Sequence, residues 1–271
     1  MGHENFDAGR FGKYFQYDLR QLWRTNGKSA MILGGMSLIA YVATVALHLI
    51  FSGVWEGPGF VTRFVFFYAG VVALVLLQTR TYGYVTEKKA GQAWLMMPAS
   101  ALEKFLSMML ITVVVLPLAY VCSYLLLDAV LCLFDSTLGG SILFNSSLAL
   151  QETGRKLSAI SEEGFQLNLM PLALPVLLQL VSNLLYFLLC GLCFRKWKIA
   201  GGIAVIIALE MVLVPLLSHF WPVVMAYDYG DDPALLTEYI NRLLNYATFI
   251  NLVLVLGLAA GIYFRIKSLK R

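Results

Sequence analysis

The chain has 271 residues, of which 59% are hydrophobic and 13% are charged, and its formal net charge is +4. Its mean hydropathy of +0.75 is well above that of a soluble domain with the usual mixture of apolar and charged residues. The composition therefore excludes a soluble protein and predicts an all-α integral membrane protein. The basic residues are spread over many short segments rather than gathered in one patch, which argues against a nucleic-acid partner.

Residues 6–28 combine aromatic and charged side chains at near-helical spacing. The apolar members are Phe11, Tyr14, Phe15, Leu19, Leu22 and Trp23, and the charged members are Arg10, Lys13, Asp18, Arg20 and Arg24. This pattern is typical of an amphipathic helix that lies in the cytoplasmic membrane interface with its aromatic residues as anchors. Residues 25–27, Thr-Asn-Gly, predict the end of this helix before the first membrane span.

Six apolar runs are each long enough to cross the hydrocarbon layer of a bilayer, which takes about 20 helical residues. They lie near 29–51, 62–83, 103–134, 169–194, 199–218 and 243–264. Most of the 20 Lys and Arg residues flank alternate ends of these runs, as expected for cytoplasmic segments. We therefore expect one transmembrane domain over 1–271, in a plasma membrane such as a bacterial inner membrane, with both termini cytoplasmic.

Several polar residues lie within these runs. In the first, Ser37, Tyr41, Thr44 and His48 share one helical face. In the fourth, Gln179 and Asn183 lie one turn apart, and the sixth carries Asn245 and Asn251 along its outer half. These faces should avoid lipid.

The sequence predicts the surroundings of two charged residues in the second and third runs, and the effect of one proline. Arg63, at the outer end of the second run, is expected to extend to the outer headgroups. Asp128, in the outer part of the third run, is expected to face water or a cavity. Pro117, in the middle of the third run, predicts a kink.

Glu210 lies near the middle of the fifth run, where inserting an acidic residue costs on the order of 2.5–3.5 kcal/mol. Its carboxyl must therefore face protein or water. Two interpretations remain open. It is either a substrate or proton site, or a hydrogen-bonded group that joins its helix to the polar face of the fourth run.

The sequence offers no catalytic or metal-binding motif. Residues 27–29, Gly-Lys-Ser, resemble the end of a phosphate-binding loop, but Leu22 stands where that loop requires its first glycine. His3, His48 and His219 are far apart, and the metalloprotease pattern H-E-x-x-H is absent. We expect no enzymatic activity in this chain and no metal or cofactor bound by it.

The segment between the second and third runs contains more sequence signals than burial in lipid requires. Pro98 predicts the end of a helix near Met97, and Ser100 with Glu103 forms a capping-box pattern for the start of the third span. Residues 84–97 are therefore predicted to form a short cytoplasmic helix. Its apolar side chains, available to a membrane or a partner, are Val85, Trp94, Leu95 and Met97.

The spacing Glu87-x3-Gly91-x3-Leu95-x2-Pro98-x-Ser100-x3-Lys104 resembles the cytoplasmic loop of type-2 ATP-binding-cassette (ABC) exporter permeases. The six-helix topology and the amphipathic N-terminal helix are also similar to that family. The resemblance implies that the 84–104 loop is a coupling helix that contacts a separate P-loop ATPase subunit. The implied docking residues are Glu87, Gly91, Trp94, Leu95, Pro98, Ser100 and Lys104.

The resemblance also implies a permease subunit that pairs with a second copy or a paralogue, while ATP and Mg²⁺ bind to the ATPase partner. The polar faces of spans one, four and six, together with Glu210, are the candidate translocation path: Ser37, Tyr41, Thr44, His48, Gln179, Asn183, Glu210, Asn245 and Asn251. The same faces could instead form hydrogen bonds between helices. The alternative function is a nucleotide-independent channel or membrane scaffold, which requires no ATPase.

Overall fold

A computed structural model describes residues 6–86, 88–143, 145, 170–194, 196–208, 211 and 233–269. Its α-helices are α1 (Ala8–Gly34), α2 (Met36–Ser52), α3 (Phe60–Thr81), α4 (Lys88–Leu95), α5 (Ala101–Met109), α6 (Leu116–Phe134), α7 (Met170–Cys193), α8 (Lys198–Ala208) and α9 (Pro233–Leu269). Short 3-10 turns cover Gly83–Thr86 and Ser136–Leu138, and a π-helical turn covers Leu110–Val115. The prediction of an all-helical chain is confirmed for these residues.

Among the described residues, four helical segments are long and apolar enough to cross a membrane. They are Phe60–Thr86, Ala101–Phe134, Ala173–Cys193 and Asn241–Leu269. Helices α1 and α2 together form a fifth candidate that is bent by 47°. The chain is therefore a multi-pass membrane protein, with four or five such segments among the described residues. A span at the fifth predicted run, 199–218, remains a prediction because this run lies partly outside them.

The N-terminal helix does not end at residues 25–27, so that prediction was wrong. Helix α1 continues to Gly34, and the chain bends at Gly35 instead. Leu22 and Leu33, on either side of the predicted break, are both buried in one apolar cluster. Their packing outweighs the cost of a glycine inside the helix, which is about 1 kcal/mol.

The buried side chains form two main clusters. One lies among α1, α3 and α6 and contains Leu22, Leu33, Leu74, Leu77, Ile111, Leu116, Tyr120, Tyr124 and Ile142. The other joins residues 82–109 to α7 and α9 and contains Tyr82, Val85, Trp94, Met108, Leu185, Leu188, Leu192, Ile262 and Ile266. The segment between α3 and α5 is thus part of the second core rather than a loose loop.

The third predicted run is distorted near its proline. The π-helical turn Leu110–Val115 ends one residue before α6 begins, and Pro117 is the second residue of α6. Proline has no N–H to donate to the carbonyl of the preceding turn, so a change of helical hydrogen bonding there has a local cause.

Arg63 and Asp128 form a buried ion pair, which overturns both of their predicted environments. Their side chains are 3% and 1% exposed, and Arg63 Nη1 lies 3.0 Å from Asp128 Oδ1. Arg63 Nη2 also donates to the carbonyl oxygens of Leu138 (2.8 Å) and Gly140 (2.9 Å). Asp128 Oδ2 accepts from the backbone N–H of Ile142 at 2.7 Å. The pair therefore joins α3 and α6 to the segment that follows α6.

Replacing one member of this pair should destabilise the bundle. We expect Asp128→Asn to lower the free energy of unfolding by about 3 kcal/mol, because Arg63 would remain buried without its counter-charge. Unfolding in mixed micelles of a mild detergent and sodium dodecyl sulfate measures this change. The control is Glu56→Gln, which neutralises an exposed carboxyl paired with His48 and should change stability by less than about 0.5 kcal/mol. Equal stability of the two variants would contradict this role of the pair.

Candidate functional site

The connection between α3 and α5, residues 82–100, is called the elbow here. It consists of the 3-10 turn, helix α4 and a turn at residues 96–100. Helix α4 ends at Leu95, before Pro98, and is shorter than the predicted helix at 84–97. The predicted capping box is present, since Ser100 Oγ accepts from the Glu103 N–H at 3.2 Å and Glu103 Oε2 accepts from the Ser100 N–H at 2.8 Å.

The Glu103 carboxylate also holds the first turn of α1. Arg10 donates to it through Nη2 at 2.6 Å and through Nε at 2.9 Å, and the backbone N–H of Asp7 donates to it at 3.0 Å. Glu103 is fully buried, whereas the Arg10 side chain is 23% exposed. One carboxylate therefore caps α5 and fixes the start of α1 against it.

A second carboxylate joins α1, the elbow and α5 farther along α1. Asp18 is 2% exposed and accepts hydrogen bonds from Tyr82 Oη at 2.9 Å and from Ser107 Oγ at 2.6 Å. Both of these donors are hydroxyl groups, and no cation pairs with Asp18 among the described residues. Asp18 thus connects the first residue of the elbow to α5.

Trp94 and Lys104 form the interior of the elbow. Trp94 Nε1 donates to Tyr14 Oη at 3.0 Å. Lys104 Nζ donates to the Trp94 carbonyl oxygen at 2.7 Å and lies 4.4 Å from the centre of the Trp94 ring. Both side chains are buried. The expectation that Val85 and Trp94 are available to a membrane or a partner was therefore wrong, because both pack inside the second cluster.

Gly91 is required by close packing within the elbow. A Cβ atom at this position would overlap the carbonyl oxygen of Val85, a backbone atom that cannot move aside alone. Leu95 is half-buried, and the exposed surface of the turn is formed by Met96, 84% exposed, and by Pro98. Glu87 lies outside the described residues.

The candidate path residues of α2 have local partners. Ser37 is buried, Tyr41 Oη donates to Asp135 Oδ2 at 2.7 Å, and Thr44 Oγ1 donates to the Ala40 carbonyl oxygen at 2.8 Å. His48 Nδ1 lies 3.3 Å from Glu56 Oε2. Hydrogen bonds from Thr137, Tyr41 and Trp55 lower the pKa of Asp135 to about 2. This face of α2 therefore contacts the segment that follows α6, through Asp135, and the segment that precedes α3, through Glu56.

The other candidate path residues lie on α7 and α9. Gln179 and Asn245 are exposed, Asn183 is half-buried and Asn251 is buried. Helix α7 packs against α9 and α3, whereas α2 packs against α3 and α6. The two polar faces thus belong to different helix pairs, and Glu210 lies outside the described residues.

Several residues of the site were missed by sequence reasoning. Arg10 and Asp18 were assigned only to the charged face of an amphipathic helix, and Tyr82 and Ser107 carried no motif. Lys198 was counted only as a cytoplasmic charge, yet its Nζ donates to the Gly83 carbonyl oxygen at 2.7 Å and ties the start of α8 to the elbow. No local pattern identifies these partners, because they are distant in sequence.

Comparison with known protein families, curated proteins and solved structures finds no match for this chain. Within the described ranges, no group of three or more His, Cys, Asp or Glu side chains is placed to hold a metal ion.

Removing the Glu103 carboxylate should release the start of α1. We expect Glu103→Ala to accelerate hydrogen exchange of the backbone amides in residues 8–20 on the order of tenfold, because Arg10 and the Asp7 N–H lose their acceptor. Exchange measured by mass spectrometry in detergent tests this. The matched control is Ser100→Ala, which removes the cap of α5 but keeps the Arg10–Glu103 pair and should leave α1 protected. Unchanged exchange in Glu103→Ala would contradict the proposed clamp.

Proposed function

We propose that this chain is the membrane-spanning permease subunit of an ATP-driven exporter, coupled to a separate ATPase subunit through the 84–104 loop. The observation that carries the proposal is the construction of the elbow. Its tip is exposed at Met96 and Pro98, while its base is tied to α1 and α5 through Asp18 and Glu103. A protein bound at the tip would therefore act on two helices at once.

This construction is suited to transmitting displacement. Breaking the contacts of Asp18 or Glu103 would leave buried polar groups without partners, which costs more than moving the elbow together with its neighbours. Helix α5 continues through the π-helical turn into α6, so a shift of the elbow passes into a membrane-spanning segment. A π-helical turn is a common place for a helix to change its geometry at functional sites.

The implied docking residues divide into two groups by exposure. Pro98 lies at the exposed tip, with Leu95 half-buried beside it. Gly91, Trp94, Ser100 and Lys104 are buried, so in the proposed complex they act as positioning residues that set the shape of the docking surface. Met96, which the resemblance does not include, is the most exposed apolar side chain of the tip.

The proposed ATPase supplies what this chain does not. Residues 27–29, which resemble the end of a phosphate-binding loop, lie inside the continuous helix α1, so their N–H groups are used by the helix and cannot cradle a phosphate. In the proposed complex, ATP and Mg²⁺ bind to the ATPase, and a second permease copy or a paralogue completes the membrane part. In the proposed topology of six spans with both termini cytoplasmic, α1 and the elbow would lie on the ATPase side.

Docking through the elbow can be tested with one pair of glycine variants. We expect Gly91→Ala to reduce co-purification of a P-loop ATPase at least tenfold, on the order of 1.4 kcal/mol, because the added Cβ would force α4 away from Val85. Gly12→Ala is the control, since a Cβ there meets no heavy atom within 4 Å. Purification in mild detergent and identification of bound proteins measure the effect.

A tip variant separates docking from folding of the elbow. Met96→Asp changes an exposed side chain without an internal clash and should cause the same loss of ATPase. Recovery of the wild-type chain without any ATPase would contradict the exporter proposal and favour the channel or scaffold, which works without nucleotide.

The proposed path predicts a requirement for the Glu210 carboxyl. We expect Glu210→Gln to reduce transport and substrate-stimulated ATP hydrolysis on the order of tenfold, because acidic residues inside a membrane generally serve transport pathways or proton relays. Assays in reconstituted vesicles containing the ATPase measure both activities. Full activity of Glu210→Gln would assign this residue to hydrogen bonding between helices instead.

A further inference from the structure

An apolar groove runs between α1 and α6 on the side of α1 away from Asp18. It consists of two cavities of about 270 Å³ and 640 Å³. Four residues line both of them, namely Trp23, Ala30, Leu116 and Ala119, so the cavities are adjacent. We call the two together the α1–α6 groove.

The groove is long and narrows at one end. Its α1 wall extends from Leu19 to Gly34, which is about 22 Å at the helical rise of 1.5 Å per residue. It narrows where Gly34 approaches Ser123, since a Cβ on this glycine would lie 3.2 Å from Ser123 Oγ. Half of a bilayer's hydrocarbon layer is about 15 Å thick. The groove can therefore hold the acyl chain of a lipid from one leaflet.

The open end of the groove carries two arginines. Arg20 and Arg24 lie one helical turn apart, line the larger cavity and are exposed. Within the described part of the chain, neither guanidinium has a hydrogen-bond or ion-pair partner, in contrast to Arg10 and Arg63. Trp23 lies between them in sequence, is 59% exposed and lines both cavities.

We propose that the α1–α6 groove binds one anionic phospholipid, with an acyl chain between α1 and α6 and its phosphate at Arg20 and Arg24. Guanidinium groups form paired, charge-assisted hydrogen bonds with phosphate oxygens. The apolar walls favour a hydrocarbon chain, and an indole at the boundary between them is suited to the headgroup region. The lining of the groove changes from cationic to apolar along its length. This change complements an anionic lipid, whose headgroup is negative and whose acyl chain is apolar. This inference does not depend on the proposed ATPase partner.

A helix of another protein fits the groove less well than a lipid does. An α-helix is at least about 10 Å in diameter with its side chains, whereas the smaller cavity lies behind Trp23 among side chains of α1, α3 and α6. An apolar helix at the open end would also desolvate Arg20 and Arg24 without providing counter-charges, which is costly. A phosphate at this place compensates both charges.

The lipid would stabilise the contact between α1 and α6. Val115 and Leu116, at the junction of the π-helical turn with α6, line the larger cavity. An acyl chain packed there would fill space beside the π-helical turn. It would also hold α1, which carries Asp18, against α6. Occupancy of the groove is thus connected to the same helix that fixes the elbow.

Fluorescence quenching tests this proposal on the full chain in a neutral mild detergent. Phosphatidylglycerol and phosphatidylcholine with brominated acyl chains are titrated separately, and the Trp23 signal is taken as the difference between wild type and Trp23→Phe. We expect half-maximal quenching of Trp23 at about a 25-fold lower mole fraction of phosphatidylglycerol than of phosphatidylcholine, because each of the two basic residues contributes about a fivefold preference for an anionic headgroup. Arg20→Gln/Arg24→Gln should abolish this preference.

The matched control is Lys13→Gln/Lys28→Gln, which removes the same charge from exposed positions of α1 that do not line the groove. This control should keep the preference. Equal quenching by the two lipids in the wild type, or the same loss in both charge variants, would show that Arg20 and Arg24 form no headgroup site and would overturn the proposal.

A second pair of variants tests the acyl-chain part of the site. Ala119→Phe fills the groove from α6 and should abolish the preference of Trp23 quenching for phosphatidylglycerol, leaving only the quenching by surrounding lipid that the 59% exposure of Trp23 allows. Ala30→Leu fills it from α1 and should have the same effect, which keeps the test valid if one variant does not fold. A preference for phosphatidylglycerol that persists in a folded variant would overturn the proposal, as would protection of Trp23 from both lipids in the wild type, which would show that protein covers the groove.

Discussion

The buried carboxylate of Glu103 is the group around which the described structure is arranged. A charged group without access to water must be matched by donors and by an opposite charge. The N–H of Ser100, the N–H of Asp7 and the guanidinium of Arg10 meet these requirements. Because Glu103 belongs to α5 and its donors come from the last residue of the elbow and from the start of α1, satisfying one carboxylate fixes the position of both helices relative to the elbow.

The same constraint recurs at other places in the bundle. Asp18 is satisfied by Tyr82 and Ser107, and Arg63 with Asp128 joins α3 to α6. Apolar side chains gain little from contact with each other when the alternative is contact with lipid chains. Directional polar contacts therefore specify which helices meet, and the apolar clusters fill the space between them.

Helix α1 connects the two proposed activities of the protein. One side carries Arg10 and Asp18, which hold the elbow, and another side forms the wall of the α1–α6 groove. Movement of the elbow by an ATPase and occupation of the groove by a lipid would act on one helix. In this arrangement an anionic lipid would favour the state of the elbow in which α1 remains packed against α6.

Sequence alone determined the features that depend on composition or on near neighbours. The apolar runs and the capping box of Ser100 follow from hydropathy and from hydrogen bonds within one helical turn. Only the tertiary structure decided that α1 continues past residues 25–27, that Trp94 faces inward and that Arg63 pairs with Asp128 instead of reaching the headgroups. These outcomes depend on packing between helices that are far apart in the chain, and no local pattern encodes which buried partner a polar side chain will meet.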